Sequence, residues 1–189
     1  MSRDYIIVVS GLPRSGTSMM MQILEAGGVE ILTDNLRSPD SDNSKGYYEY
    51  EKVKNLHKDN YWLKKCQGKT IKIVSNLIKN LRSDMEYKII FMERDITEVL
   101  SSQSKMLKNA GLNDSSSDME LKNIFLNHIK EIKIWLQNQT HMEILFVNHK
   151  DCIYNSEFVC QDILRFLDMN LNYEEMVKVV DVTMYRNRS

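Results

Sequence analysis

The chain has 189 residues, of which 42% are hydrophobic and 27% are charged, and its formal net charge is −1. This balance is typical of a globular protein with a sizeable core and excludes a largely disordered chain. Because no overall positive field is present, the composition also argues against a nucleic-acid-binding protein, and any anion site must form locally.

The N-terminal part of the chain predicts a strand, a helix and a polar loop. Tyr5–Ser10 is a short apolar run rich in β-branched residues, which is typical of a strand buried on both faces. A helix follows over Ser15–Ala26 and ends at a glycine pair. Val29–Thr33 is a weaker second strand, and Asp34–Gly46 is rich in turn-forming residues and predicts a loop.

The rest of the chain alternates between helices and strands. Helical spacing predicts helices at Tyr48–Lys65, Ile96–Ala110, Met119–Gln139, Ser156–Leu167 and Tyr173–Val180. Further strands are predicted at Thr70–Ser75, Tyr87–Met92 and Glu143–Asn148, and a polar loop at Leu112–Asp118. The alternation predicts an α/β fold with three layers, in which helices flank a central parallel sheet of about four or five strands. Ligands of such sheets bind at the carboxyl ends of the strands.

The cysteines and the N-terminal residues indicate a cytoplasmic protein. Cys66, Cys152 and Cys160 are an odd, widely spaced set without the spacing of a zinc site, which favours reduced thiols. The apolar run before Gly11 has only five residues, too few for a signal peptide or a membrane span. We therefore expect a single domain over residues 1–189 and no membrane partner.

The loop after the first strand has the features of an anion site. Gly11–Ser18, GLPRSGTS, stands between a strand and a helix, as in phosphate-binding loops. Its two glycines permit backbone angles that turn successive N–H groups inward beside a helix N-terminus. Thr17 occupies the position of the lysine that ATP- and GTP-binding loops use, and Arg14 is the mobile cation of the loop. A guanidinium suits two oxygens of a phosphate or sulfate, whereas the alternative interpretation is a tight strand-to-helix turn.

These residues resemble the P-loop sulfotransferase family, and in particular its bacterial branch, whose donor is 3′-phosphoadenosine 5′-phosphosulfate (PAPS). The segment PRSGTS is similar to the loop of that family that binds the 5′-phosphosulfate. The resemblance implies that the donor is bound by Pro13, Arg14, Ser15, Gly16, Thr17 and Ser18. It also implies that Arg14 stabilises the charge that grows during in-line transfer. The C-terminal segment VDVTMYRNRS, residues 180–189, resembles the ends of some bacterial members.

A second match to the family follows the strand Tyr87–Met92. The 3′-phosphate site of the family is an arginine at a strand end and a serine eight residues later, and Arg94 and Ser102 have this spacing. From the residues alone, Arg94 also fits a surface salt bridge with Asp95 or Glu98, and Ser102 fits a solvated helix serine. The resemblance implies that Arg94 and Ser102 bind the 3′-phosphate of PAPS.

The sequence does not identify the catalytic base by a single motif. Cytosolic sulfotransferases carry a Lys-Thr-His run, and Lys72 fits the lysine, but no histidine follows it here. Other members use a glutamate in a Gly-Tyr-x-Glu element, which the segment Asn43–Val53, NSKGYYEYEKV, resembles. Glu49 is therefore the first choice for the base and His57 the second, although Glu49 fits a helix N-terminus equally well. His128 lies on an apolar helix stripe and is interpreted as a core or edge histidine.

The resemblance implies a PAPS-dependent sulfotransferase that transfers a sulfuryl group to a hydroxyl or amine of an unknown acceptor, which is a small molecule, carbohydrate or peptide. Its catalytic residues are expected to be Arg14, Glu49 and Lys72, and no metal is required. One alternative is a P-loop nucleotide kinase or hydrolase that works without the loop lysine. The other is a non-catalytic module that retains the nucleotide site.

Overall fold

The computed structural model of the protein describes residues 4–34, 36, 46–109, 111 and 118–180. In this part of the chain a parallel sheet has the strands β1 (Tyr5–Gly11), β2 (Thr70–Lys72), β3 (Glu86–Glu93) and β4 (Met142–Asn148). Their order across the sheet is β2-β1-β3-β4. The predicted α/β fold with a central parallel sheet is therefore confirmed, with four strands in the described residues.

Helices cover both faces of the sheet. The α-helices are α1 (Thr17–Ala26), α2 (Ile96–Asn109), α3 (Asp118–Gln137), α4 (His149–Tyr154), α5 (Ser156–Leu167) and α6 (Tyr173–Lys178). Short 3-10 helices occupy Glu51–Asn55, Tyr61–Lys65 and Ser75–Asn80. Among the helices that the structure describes, none is both long enough and apolar enough to cross a membrane.

The side chains of β1 alternate between two apolar cores. Ile6 and Val8 belong to one core, which also includes Ile132 of α3. Ile7 and Val9 belong to the other, which is completed by residues of α1, α5 and α6. All four β1 side chains are fully buried, as expected for a strand of a parallel sheet that is covered on both faces. The buried sheet holds the carboxyl ends of its strands at one edge.

The predicted second strand Val29–Thr33 is wrong. This segment makes a single bridge to β2, between Ile31 and Thr70, and does not continue as a strand. The reason lies in Asp34, whose carboxylate accepts hydrogen bonds from backbone N–H groups, including that of Leu36 at 3.1 Å. A side chain that captures backbone donors in this way competes with a strand ladder and turns the chain.

The single helix predicted at Tyr48–Lys65 is also wrong, because this segment contains two short 3-10 helices, Glu51–Asn55 and Tyr61–Lys65. Asp59 separates them, since its Oδ1 atom accepts from the backbone N–H of Tyr61 at 3.0 Å. Its carbonyl oxygen accepts from the indole N–H of Trp62 at 3.0 Å. This local capping begins the second 3-10 helix separately from the first, so that no continuous helix forms.

Other differences concern short elements and segment ends. The strand predicted at Thr70–Ser75 ends at Lys72, and a 3-10 helix begins at Ser75. Helix α4 was not predicted, and its start is capped by Asn148, whose side chain accepts from the backbone N–H of Lys150 at 2.8 Å. Residues 35, 37–45, 112–117 and 181–189 lie outside the described residues, and with them most of both predicted polar loops and of the C-terminal segment.

Candidate active site

The loop between β1 and α1 forms a backbone cradle. Positive φ angles occur at Gly11 (147°), Arg14 (69°) and Gly16 (98°). Gly16 directly precedes α1, whose first N–H groups have no partner within the helix. Ser15 is buried and its hydroxyl donates to the carbonyl of Leu12 at 2.7 Å, so this side chain holds the loop together from inside. Such a turn presents backbone donors to an anion at the helix N-terminus.

Two glycines of the loop are required by close approach as well as by backbone angle. A Cβ atom at Gly11 would lie 2.6 Å from the carbonyl oxygen of Met92 on β3. A Cβ atom at Gly16 would lie 2.5 Å from Cδ2 of His149, the first residue of α4. The histidine was not assigned to the site from sequence, although its place directly after β4 was a usable signal.

A cavity of about 440 Å³ opens beside this loop at the carboxyl ends of the strands. Its lining consists of Pro13, Arg14, Gly16, Thr17, Ser18, Met19, Tyr47, Glu49, Tyr50, Val53, Lys54, Lys72, Val74, Leu77, Arg94, Ser102 and Met106. Seven of the eight donor-binding residues predicted from sequence are among them, and the exception is the buried Ser15. The sequence motifs that lie far apart along the chain therefore meet in one cavity.

The two predicted anion-binding motifs are directly bonded to each other. The Nε atom of Arg14 donates to the hydroxyl of Ser102 at 2.9 Å. The Nη1 atom of Arg94 donates to the backbone carbonyl of Arg14 at 3.0 Å. Arg14, Arg94 and Ser102 are therefore linked to one another in the lining of the cavity.

The salt bridge that the sequence offered as an alternative for Arg94 is also present, but it is buried rather than on the surface. Arg94 Nε lies 3.0 Å from Glu98 Oε2, and the two side chains are 9% and 1% exposed. The other carboxylate oxygen of Glu98 lies 3.1 Å from Nζ of Lys150 on α4. Lys150 was missed from sequence, and it too follows the end of β4.

Lys72 places its ammonium group beside the loop. It stands at the end of β2 and is 9% exposed. Its Nζ atom donates to the backbone carbonyl of Tyr47 and lies 3.5 Å from the hydroxyl of Ser18. A cation in this sheltered position acts more strongly on a bound anion than one on the open surface.

The two candidate bases, Glu49 and His57, and the predicted core or edge histidine His128 are placed differently by the fold. Glu49 is half-buried and lines the cavity, and its backbone carbonyl accepts from the hydroxyl of Thr33 at 2.9 Å. His57 is exposed and is not part of the lining. His128 is half-buried, and its Nε2 atom lies 2.9 Å from the hydroxyl of Ser75, outside the cavity lining. Burial lowers the pKa of His128. Of the three, only Glu49 faces the cavity.

The methionine run and the cysteines have mainly structural positions. Met20 and Met21 are fully buried in the core, whereas Met19 reaches the cavity. The three cysteines are free and buried. Within the described ranges of the chain, no three His, Cys, Asp or Glu side chains are grouped as ligands for a metal ion.

Because His149 is buried, we expect the free energy of unfolding to depend on pH. Burial, reinforced by the nearby Arg94, lowers the pKa of His149 from 6.5 to about 4. The unfolded chain therefore binds this proton at a higher pH than the folded protein does. The contribution of His149 to the free energy of unfolding is fully present above pH 6.5. It decreases by about 3 kcal/mol as the pH falls through 6.5 toward 4 and below.

Urea unfolding across this pH range tests the expectation. The loss of unfolding free energy on acidification should be smaller in His149→Gln, which cannot take up the proton, than in the unsubstituted protein. Equal losses in both proteins would show that another group carries the dependence.

Comparison with known proteins places this geometry in a family. The structure is similar to mouse sulfotransferase SULT7A1 complexed with PAP, at 15% identity and a TM-score of 0.55, covering 94% of this chain and 63% of that one. It is similar to retinol dehydratase in complex with androsterone and the inactive cofactor PAP, at 16% identity and a TM-score of 0.56, with the same coverages of 94% and 63%. A third similar structure is the sulfotransferase domain from the curacin biosynthetic pathway, at 13% identity and a TM-score of 0.57, covering 96% of this chain and 79% of that one.

These likenesses show a shared fold, and the chain spans 63% of the length of the first two proteins. No curated protein sequence matches the chain. The family model described as the sulfotransferase domain matches residues 4–189. The chain belongs to the sulfotransferase domain family.

Proposed function

We propose that the protein is a PAPS-dependent sulfotransferase that transfers a sulfuryl group to a hydroxyl or amine of its acceptor. The observation that carries this proposal is the 2.9 Å contact between Arg14 and Ser102, with Arg94 bonded to the same loop. A loop that suits a phosphosulfate and an arginine–serine pair that suits a second phosphate adjoin in one cavity. Membership of the family supports the same donor.

The residues of the cavity fit PAPS chemically. The donor carries negative charge at two places, the 5′-phosphosulfate and the 3′-phosphate. The loop N–H groups with Arg14 suit the first, and Arg94 with Ser102 suits the second. Gly16 directly precedes α1, and the backbone N–H groups that follow it suit an anion at the start of the helix. The volume of about 440 Å³ is ordinary for a site that binds a small molecule. PAP, adenosine 3′,5′-bisphosphate, is bound in two of the similar structures.

Each catalytic group has a defined task in this proposal. When bound, PAPS supplies the activated sulfuryl group. Arg14 and the N–H groups at the start of α1 stabilise the negative charge that develops on the leaving phosphate oxygens. Lys72 adds an ammonium group beside Ser18. Side chains and backbone dipoles thus carry the charge stabilisation, and the scheme requires no metal ion.

Glu49 is the proposed base that takes the proton of the acceptor. Glu49→Gln keeps the size of the side chain and removes its proton affinity, so we expect turnover to fall by about 100- to 10,000-fold. The affinity for PAP, measured by calorimetry, should change little. The matched control is His57→Gln at an exposed position outside the cavity, which should retain full turnover. Unchanged turnover in Glu49→Gln would remove Glu49 from the mechanism.

The function itself is tested by ligand binding followed by transfer. Calorimetry should show tight binding of PAP and weak binding of ATP with magnesium, and the reverse result would favour a nucleotide kinase or hydrolase. Transfer is then measured with radiolabelled PAPS and a panel of hydroxyl and amine acceptors of small-molecule, carbohydrate and peptide type. Binding of PAP without label transfer to any acceptor would favour the non-catalytic nucleotide-binding module.

The proposal also covers the organisation of the chain. We propose one domain over residues 1–189, because both halves of the chain contribute to the two cores and to the cavity. The free, buried cysteines support a cytoplasmic protein. The net charge of −1 supports an acceptor other than nucleic acid.

A further inference from the structure

Glu98 is a buried carboxylate that bridges two cations from separate elements. Its side chain is 1% exposed, and its oxygens lie 3.0 Å from Arg94 Nε and 3.1 Å from Lys150 Nζ. A charge held this far from water lowers stability unless its partners compensate for the lost hydration. The compensating partners are Arg94, which directly follows β3, and Lys150, the second residue of α4, which follows β4.

Arg94 is thereby fixed from two directions. One of its five N–H donors goes to Glu98, and another goes to the backbone carbonyl of Arg14 at 3.0 Å. A planar guanidinium held at both sides has one orientation, and in that orientation it lines the cavity. Glu98 and Ser102 are four residues apart on α2, so that the same helix face supplies both the support of Arg94 and the hydroxyl beside it.

We infer that Glu98, assisted by Lys150, is a positioning residue that orients Arg94 and so sets the preference of the site for nucleotides with a 3′-phosphate over those without one. This inference rests on the proposed function, because it presumes that Arg94 contacts the 3′-phosphate. Glu98 itself repels an anion, and its contribution acts entirely through Arg94.

The negative charge of Glu98 is essential to this role. A glutamine at the same position has one oxygen and one NH₂ group, so that the NH₂ group must face either Arg94 or Lys150. The result is a donor opposite a donor in a buried place, which costs more free energy than the loss of a single hydrogen bond. Arg94 then leaves its orientation, or α4 moves away.

A salt bridge that served only to stabilise the fold would give a different result. Its loss would lower the free energy of unfolding, and any effect on binding would be the same for all nucleotides. A positioning residue instead changes the ratio of two affinities, that for PAP and that for adenosine 5′-monophosphate (AMP), which lacks the 3′-phosphate.

Calorimetry with PAP and AMP on the full chain separates the two cases, using Glu98→Gln, Arg94→Ala and the double variant. We expect Glu98→Gln to weaken PAP binding about tenfold or more and AMP binding less than about threefold. In the Arg94→Ala background, Glu98→Gln should cause no further loss of PAP affinity, because the residue through which Glu98 acts is gone.

Val99→Ala is the matched control for lost stability, since Val99 is a fully buried apolar neighbour on α2. It should lower the thermal midpoint and leave the PAP to AMP ratio unchanged. If Glu98→Gln does not fold, Glu98→Asp takes its place, since it retains the charge but is one methylene shorter. Its preference for PAP over AMP should be reduced, but by less than expected for Glu98→Gln.

The possible failures are distinguishable. If the unsubstituted protein binds PAP no better than AMP, the proposed function is wrong. If it prefers PAP and Glu98→Gln retains that preference, or loses PAP and AMP affinity equally, the function stands and the positioning role is refuted. A further loss of PAP affinity on adding Glu98→Gln to Arg94→Ala would also refute it.

Discussion

Arg14→Gly is expected to lower the turnover of sulfuryl transfer by about 100- to 1,000-fold while the thermal midpoint falls only slightly. Arg14 has a φ angle of 69°, in the left-handed region that glycine adopts without strain. A side chain with Cβ costs roughly 1–2 kcal/mol there. Removing this strain offsets most of the loss of the charge-assisted hydrogen bond to Ser102, which contributes about 1.5–3 kcal/mol.

The large effect on turnover has a separate cause. The guanidinium of Arg14 lines the cavity, where it is proposed to stabilise charge that develops only as the reaction proceeds. An interaction of this kind lowers kcat when it is lost, and it lowers the affinity for the bound ground state much less. PAP affinity in Arg14→Gly should therefore fall far less than turnover does.

Arg14→Ala is the matched control for the backbone. It removes the same guanidinium but leaves a Cβ atom at the positive φ angle. Turnover, measured with radiolabelled donor and an acceptor found in the panel, should be equally low in both variants. The thermal midpoint should be lower in Arg14→Ala than in Arg14→Gly. Full turnover in either variant would exclude Arg14 from charge stabilisation.

The positions of the proposed donor-binding residues could be predicted from sequence because they depend on local order along the chain. Gly11 and Gly16 mark a turn between a buried strand and a helix, and Arg94 follows a strand of the same sheet. The carboxyl ends of parallel strands meet at one edge, so two local motifs are enough to place both sites together. The bond between Arg14 and Ser102 agrees with that placement.

The buried network behind the site could not be predicted, because it depends on packing between distant elements. The sequence suggests Glu98 only as a partner of Arg94 in a surface salt bridge. The contact of Glu98 with Lys150 depends on how α4 packs against α2. From sequence, His149 is simply the residue that follows a predicted strand. Its effect on the loop, which is to exclude a side chain at Gly16, is visible only in the folded structure. The helix predicted over Tyr48–Lys65 was wrong for a different, local reason, since a capping interaction of Asp59 overrode the helical spacing.

The second large effect is expected for Gly16→Ala, which should lower the free energy of unfolding by about 2–5 kcal/mol. Gly16 has a φ angle of 98°, and a Cβ atom there would lie 2.5 Å from the ring of His149. The ring is 7% exposed and has little room to move. Relief of the contact must shift the start of α1, and PAP affinity should fall with it because the backbone N–H groups of the cradle move.

Gly28→Ala isolates the part of this effect that comes from backbone strain. Gly28 has a similar φ angle of 91°, but a Cβ atom there meets nothing within 4 Å. Urea unfolding should show a loss of about 1–2 kcal/mol for Gly28→Ala, with PAP affinity unchanged. The additional loss in Gly16→Ala measures the contact with His149.

The double variant Gly16→Ala with His149→Ala assigns that contact directly. Because the truncated side chain leaves space for the new methyl group, the double variant should be less destabilised than the sum of the two single variants. Strict additivity would mean that the histidine does not limit Gly16. The requirement for glycine would then lie in the φ angle alone, and PAP binding in Gly16→Ala should survive.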